Sequence, residues 1–194
     1  MHAERLRCYL AGGRPTGAAR SQPGCRDPRP PLRSVAVELP GTLYFAQESE
    51  VWGGGRAFYD PGGPGVVWAR AHLLTVGQFS DIAAQEMGRA PGRDLDLTAV
   101  LAEGRAALGP GRYETLVRPG DLHGLPLLTF TAPFSQTEAE LNAPSAAYLR
   151  HLADGLAETG VWEPDRIAAY LAGCPGAAGR WSAEAVAGLM GRVG

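Results

Sequence analysis

At 194 residues and a formal net charge of -2, the chain has the length of one domain and should bury roughly 70% of the surface its unfolded form exposes. Its 18 basic residues are all arginines, spread thinly rather than clustered as a phosphate-binding surface requires, so nucleic acid is not an expected partner. Cys8, Cys25 and Cys174 show no CxxC spacing, which argues against a disulfide framework or a cysteine zinc site, and the longest apolar runs are strand-sized; a reducing cytoplasm is expected and a membrane is not.

In chain order, HAERLRCYL (2–10) has helical spacing and stops at Gly12 and Gly13. Only Met1 stands ahead of it, so this helix is expected to begin uncapped. Residues 12–33 form a Pro/Gly/Arg loop of a length that is uncommon unless it covers something. SVAVEL (34–39) and TLYFAQ (42–47) flank Pro40 and Gly41 and read as a hairpin. RAFYD (56–60) and VVWARAHLL (66–74) flank the turn 61–65 and read as another, the second strand half-buried because Val67, Ala69, Ala71 and Leu73 alternate with Trp68, Arg70 and His72.

Thr75 with Gln78 three residues on is the reciprocal capping pattern of a helix start, and Gly88 ends that helix. Residues 88–111 interrupt the pattern with a polar, Gly/Pro-flanked insertion holding one short helical stretch. YETLVR (113–118) and LPLLTFT (125–131) read as strands joined at His123 and Gly124, and Asn142 and Pro144 introduce a helix carrying Leu149, Leu152 and Leu156. In the tail, Trp162 and Trp181 each precede an aliphatic-alanine pair by five residues, an echo that predicts a helical hairpin anchored by two packing tryptophans. The expected organisation is a domain over 1–157 with the hairpin, 158–194, packed on it.

One residue breaks the apolar pattern. Phe79, Ile82, Ala83 and Glu86 fall at i, i+3, i+4 and i+7, a stripe that a helix turns toward its core. Glu86 lies in the last turn, where the helix end and apolar surroundings both disfavour a negative charge, and a carboxyl so placed suits proton exchange near neutral pH. The alternative is a glutamate at the core edge that bends into water. His2, His72, His123 and His151 lack metal-ligand spacing, WGGGR lacks the Gly-Lys-Ser/Thr end of a phosphate loop, and no GxSxG nucleophile elbow occurs, so no metal, nucleotide or serine-hydrolase chemistry is expected.

The run VWGGGRAFYDPGGPGVVWARAHLLTVGQFSDIAAQEM resembles the core of the γ-glutamylcyclotransferase family. Trp52 with Gly54 and Gly55 matches the family's Trp-x-Gly-Gly strand start, Gly65 to Trp68 its Gly-Val-Val-Trp strand, and Gln85 with Glu86 its Gln-Glu-Gly helix end, Met87 standing where glycine is usual. Tyr113 matches a strand-opening tyrosine, and Pro144, Ser145 and Tyr148 match a Pro-Ser-x-x-Tyr helix start, so the resemblance spans residues 1–157. The family's first strand and Tyr-Gly-Ser-Asn loop have no counterpart; Glu4, Arg5 and Leu6 match the Glu-Arg-Leu of the helix that succeeds the loop in that family. Met1 is therefore expected to be an internal methionine of a longer natural chain, and the chain without the loop to be weakly active or inactive.

The resemblance implies an α+β fold, a small, nearly closed, barrel-like mixed sheet of five or six strands with helices packed around it; six strands can be counted between Ser34 and Thr131. It implies a cofactor-free enzyme releasing 5-oxoproline and an amine or amino acid from a γ-glutamyl amide, with Glu86 as general acid-base, Tyr148 hydrogen-bonded to the glutamyl end, and Tyr113 lining the site. Packing is the other reading for both tyrosines. Gly54 and Gly55 would allow close approach of substrate; read alone, they are a strand bulge or turn. The alternative function is a non-catalytic, ligand- or partner-binding member of the fold, motivated by the absent loop, Met87 and the insertion. Oligomeric state is not legible.

Overall fold

The computed structural model describes residues 2–15 and 21–190. The β-branched and aromatic residues between Ser34 and His72 build one long antiparallel ribbon. β1 (Ser34–Pro40) continues into β2 (Thr42–Ala46), and the chain returns as β3 (Arg56–Asp60) and β4 (Val66–His72). β1 pairs with β4, Ser34 opposite His72, and β2 pairs with β3, Thr42 opposite Asp60.

The two hairpins expected from sequence are thus replaced by one. Only Gly41 separates β1 from β2, too short a link to reverse the chain. The ribbon bends there instead: Gly41 takes φ 124°, and a Cβ on it would lie 2.4 Å from the Asp60 carbonyl oxygen. Residues 61–65 are extra chain opposite this corner, with Gly41 N–H donating to Gly65 O at 3.1 Å. The true reversal is 47–55, the segment that carries Trp52 and the three consecutive glycines.

β6 (Thr115–Leu122) and β7 (Leu125–Thr131) form a hairpin whose two turn residues, His123 and Gly124, both have positive φ, 51° and 77°. Its register shifts between Val117 and Gly120, around Pro119, which has no N–H for the ladder. The insertion adds a strand that sequence reading missed, β5 (Arg105–Ala107), paired with β6. The architecture is α+β, with seven strands among the described residues.

The barrel-like mixed sheet is corrected. Among the described residues all pairings are antiparallel, the strands fall into β1–β4, β2–β3 and β5–β6–β7, and no closed barrel forms. Where β3 meets β7, a side chain takes the place of a backbone ladder: Thr131 Oγ1 accepts from Tyr59 N–H at 3.1 Å and donates to Tyr59 O at 2.5 Å.

Six helices surround these strands among the described residues. α1 (Ala3–Ala11) is capped after all. His2 Nδ1 accepts from Glu4 N–H at 3.3 Å, and the Glu158 carboxylate, 155 residues away in sequence, accepts from Ala3 N–H at 2.8 Å. Met1 itself lies outside the described residues.

α2 (Val76–Glu86) begins with the reciprocal Thr75–Gln78 cap that the sequence predicts. It is covered beyond its apolar stripe: Gln78, Ser80 and Asp81 are buried as well as Ile82 and Ala83. Asp81, 0% exposed, accepts from Arg26 N–H at 2.8 Å, Arg26 Nε at 3.0 Å and Gly92 N–H at 3.2 Å. Burial alone would disfavour its charge, but the Arg26 hydrogen bonds outweigh that and hold the carboxyl below its usual range. Gln78 Nε2 donates to Arg29 O, and Ser80 Oγ accepts from Leu95 N–H. The described part of the 12–33 loop and the start of the insertion therefore cover α2; residues 16–20 of that loop lie outside the described residues.

α3 (Thr98–Glu103) is the insertion's short helix. α4 (Ala146–Ala157), α5 (Pro164–Gly173) and α6 (Ala183–Met190) share one core with β2, in which Phe45, Leu149, Ile167, Leu171 and Val186 are fully buried. The tail tryptophans anchor it: Trp162 stacks on Trp68 at 5.0 Å between ring centroids, and Trp181 Nε1 donates to Pro144 O at 3.0 Å. Residues 191–194 of the expected hairpin lie outside the described residues. All three cysteines are free, and no described helix is long and apolar enough to cross a membrane.

Candidate functional site

Leu6, Tyr9 and Leu10 of α1 pack on Ile82 of α2. This docking brings Arg5 and Tyr9, four residues apart on α1, against Glu86 at the end of α2. Arg5 Nη2 donates to Glu86 Oε1 at 3.2 Å and also lies 3.1 Å from the Tyr9 hydroxyl, while Tyr9 O–H donates to the same Oε1. The other oxygen, Oε2, meets no donor among the described residues.

The Glu86 side chain is 13% exposed, so it is at the protein's interior edge, but its surroundings are not the apolar strands the sequence suggests. Burial works against the Arg5 charge, yet the adjacent Glu86 carboxylate, together with Tyr9 and Tyr148, outweighs it and holds the guanidinium above its ordinary value. Burial, reinforced by Glu86, likewise pushes the Tyr9 phenol up, so it remains a donor.

Glu86 lines a cavity of about 710 Å³. Arg5, Tyr9 and Met87 line it from the α1–α2 side, Trp52 and Arg56 from the ribbon, Tyr113, Glu114 and Tyr148 line it as well, and Pro15 and Gln22 border it from the 12–33 loop. Tyr113, which lies just before β6 rather than at its start, donates its hydroxyl to Ala57 O at 3.3 Å. Tyr148 accepts from Ala57 N–H at 3.3 Å and stacks on Trp52, 5.6 Å between centroids. Burial raises both phenols above their ordinary value. Arg89 and Glu114 form an ion pair in the same cavity.

The structure thus brings Glu86, Tyr113 and Tyr148 together and leaves Gly54 and Gly55 out of the cavity wall. Both glycines sit where two backbones touch. Gly55 N–H donates to Ala143 O at 2.7 Å, and an added Cβ would lie 2.4 Å from Ala143 O at Gly54 and 2.0 Å from Asn142 O at Gly55. They seat the approach to α4, whose first turn carries Tyr148 behind the Ser145 cap. Sequence reading missed Arg5, Tyr9, Arg56 and the Arg89–Glu114 pair. The i,i+4 spacing of Arg5 and Tyr9 beside the Leu6–Leu10 stripe was the one available signal; Arg56 had none.

No group of three or more His, Cys, Asp or Glu is placed to hold a metal among the described residues. His151 stacks on Trp52 at 5.1 Å, and its buried Nε2 has no partner; His72 shares a 2.8 Å hydrogen bond with Ser34 through Nδ1 while its Nε2 is likewise unpartnered. Burial pushes each ring down from 6.5 to about 4. Between those values the unfolded chain binds more protons than the folded one, so stability falls as pH falls through that window. The urea midpoint should drop steadily from pH 7 to pH 4.5, and His151→Phe, which keeps the stack on Trp52, should flatten the drop. A wild-type midpoint constant from pH 7 to 5 would show that these rings protonate freely in the folded state.

No family model matches this chain, and neither a curated protein nor a solved structure matches it.

Proposed function

We propose that the chain is a γ-glutamylcyclotransferase-like protein of the cytoplasm that releases 5-oxoproline and an amine or amino acid from a γ-glutamyl amide, with Glu86 as proton shuttle and no cofactor. One observation carries the reading: a carboxyl 13% exposed on the wall of a cavity of about 710 Å³, one oxygen held by Arg5 and Tyr9 and the other without a donor among the described residues. Held in this way, the carboxyl is oriented without both its acceptor positions being occupied, as a general base requires.

The reaction joins the glutamyl α-nitrogen to the δ-carbonyl carbon of the same molecule. Glu86 takes a proton from the attacking nitrogen, the bond from the δ-carbon to the departing nitrogen breaks, and Glu86 returns the proton to that nitrogen. Atoms and charge balance without a second reagent. Since the attack is intramolecular, a cavity that holds the glutamyl chain bent supplies much of the acceleration. Tyr148 suits the glutamyl end because its oxygen accepts from Ala57 and keeps its own O–H to donate, whereas Tyr113 has given its proton to Ala57 O and contributes wall. The α+β arrangement of small sheets with helices outside is compatible with a γ-glutamylcyclotransferase-like fold.

Release of 5-oxoproline from a panel of γ-glutamyl dipeptides and γ-glutamyl amines tests the reading, with product expected from at least one of them. The second reading, a binding protein without turnover, is favoured by the Arg5–Glu86 ion pair, which engages the carboxylate before any substrate arrives. Saturable binding of a panel member with no 5-oxoproline formed would select it.

A further inference from the structure

We infer that Arg56 forms an anion site in the cavity and holds one carboxylate of a small-molecule ligand. This site is separate from the proton chemistry of Glu86 and does not depend on it, since it is defined by binding alone. Among the described residues, four arginines line the cavity. Arg5 is paired with Glu86 and Arg89 with Glu114, whereas Arg56 and the exposed Arg112 have no carboxylate partner among the described residues.

Arg56 is built into the wall. It is the first residue of β3, opposite Ala46 in the ribbon, and its Nη2 donates to the Glu48 carbonyl, which fixes the plane of the guanidinium. Its Nε is buried and meets no acceptor. A guanidinium is always charged, and one that lines a cavity without a carboxylate partner among the described residues calls for an anion brought by the ligand. The next residue, Ala57, holds the hydroxyls of Tyr113 and Tyr148, so the charge and the two aromatic walls are fixed relative to one another by a single strand.

The guanidinium fork matches carboxylate and phosphate alike, so charge is the feature that separates them. Among the described residues the cavity's four arginines stand against three glutamates, Glu50, Glu86 and Glu114, a formal excess of one positive charge that suits a monoanion better than a dianion.

Calorimetric titration with glutaramate, which carries one carboxylate, with its neutral analogue glutaramide, and with inorganic phosphate tests this directly. Wild type should bind glutaramate about tenfold or more tightly than glutaramide, the scale of a charge-assisted hydrogen bond. Arg56→Gln should abolish that preference, and Arg56→Lys, which keeps the charge and loses the fork, should retain part of it. Both variants are checked for wild-type circular dichroism, and the Lys variant keeps the test decisive if the Gln variant is unfolded. An undiminished preference in folded Arg56→Gln, or a wild type that favours phosphate over glutaramate, would overturn the assignment, as would equal binding of glutaramate and glutaramide. Because no probe can cyclise through an α-amine, these outcomes stand whether or not the protein releases 5-oxoproline.

Discussion

Glu86→Gln is expected to lower 5-oxoproline release about 10²- to 10⁴-fold, the range by which a positioned acid-base group accelerates proton transfer. The substitution keeps the side chain's volume and a carbonyl oxygen, so the Tyr9 O–H retains an acceptor at the end of α2. It removes the oxygen that can carry a proton away from the attacking nitrogen. The half-buried Arg5 loses its counter-charge as well, but its side chain, a fifth exposed, keeps access to water and to the Tyr9 hydroxyl. A folded variant with a thermal midpoint near wild type's is therefore expected, which separates lost chemistry from lost structure. Turnover by Glu86→Gln within a few-fold of wild type would remove Glu86 from the mechanism, whatever the fold proved to be.

Gly55→Ala should have the largest effect on stability, about 3 kcal/mol, the upper range for forcing an extra methyl into a filled space. The new Cβ would lie 2.0 Å from Asn142 O and 2.8 Å from Asn142 C, both backbone atoms, so no flexible side chain can swing aside to relieve the clash. The segment that must move is tied down elsewhere: Asn142 N–H donates to Phe45 O, and Asn142 Nδ2 reaches Gln47 O at 2.9 Å and Glu48 at 2.8 Å. Displacing it shifts the start of α4, and with it the Tyr148 ring that stacks on Trp52. Chemical denaturation should show the loss at unchanged slope, and binding of cavity ligands should weaken in parallel. A Gly55→Ala protein as stable as wild type would mean that the two segments are not packed backbone to backbone. Gly53, by contrast, has open space where its Cβ would be and constrains the chain only through its φ of 70°; the three neighbouring glycines are not equivalent.

Local signals determined the elements. The Thr75–Gln78 cap and the turn at His123–Gly124 are short-range patterns, and each reads the same way in sequence and in structure because the forces involved act within a few residues. The strand over 66–72 forms, but its burial does not alternate as the sequence suggests, and the tail tryptophans pack on partners far along the chain. The family resemblance also singled out Glu86, Tyr113 and Tyr148, which line one cavity. Tertiary structure alone decided which strands pair, since a one-residue link at Gly41 bends a ribbon only when a partner strand lies across it. It also decided that α1 is capped from Glu158, that the long loop and the insertion cover α2, and that Glu86 meets Arg5 and Tyr9. These contacts join residues tens to more than a hundred positions apart, and spacing along a chain carries no record of which distant side chain will arrive. Arg56 is the sharpest case: one arginine among many in sequence, it becomes a distinct charge only where folding buries its Nε and supplies no acceptor.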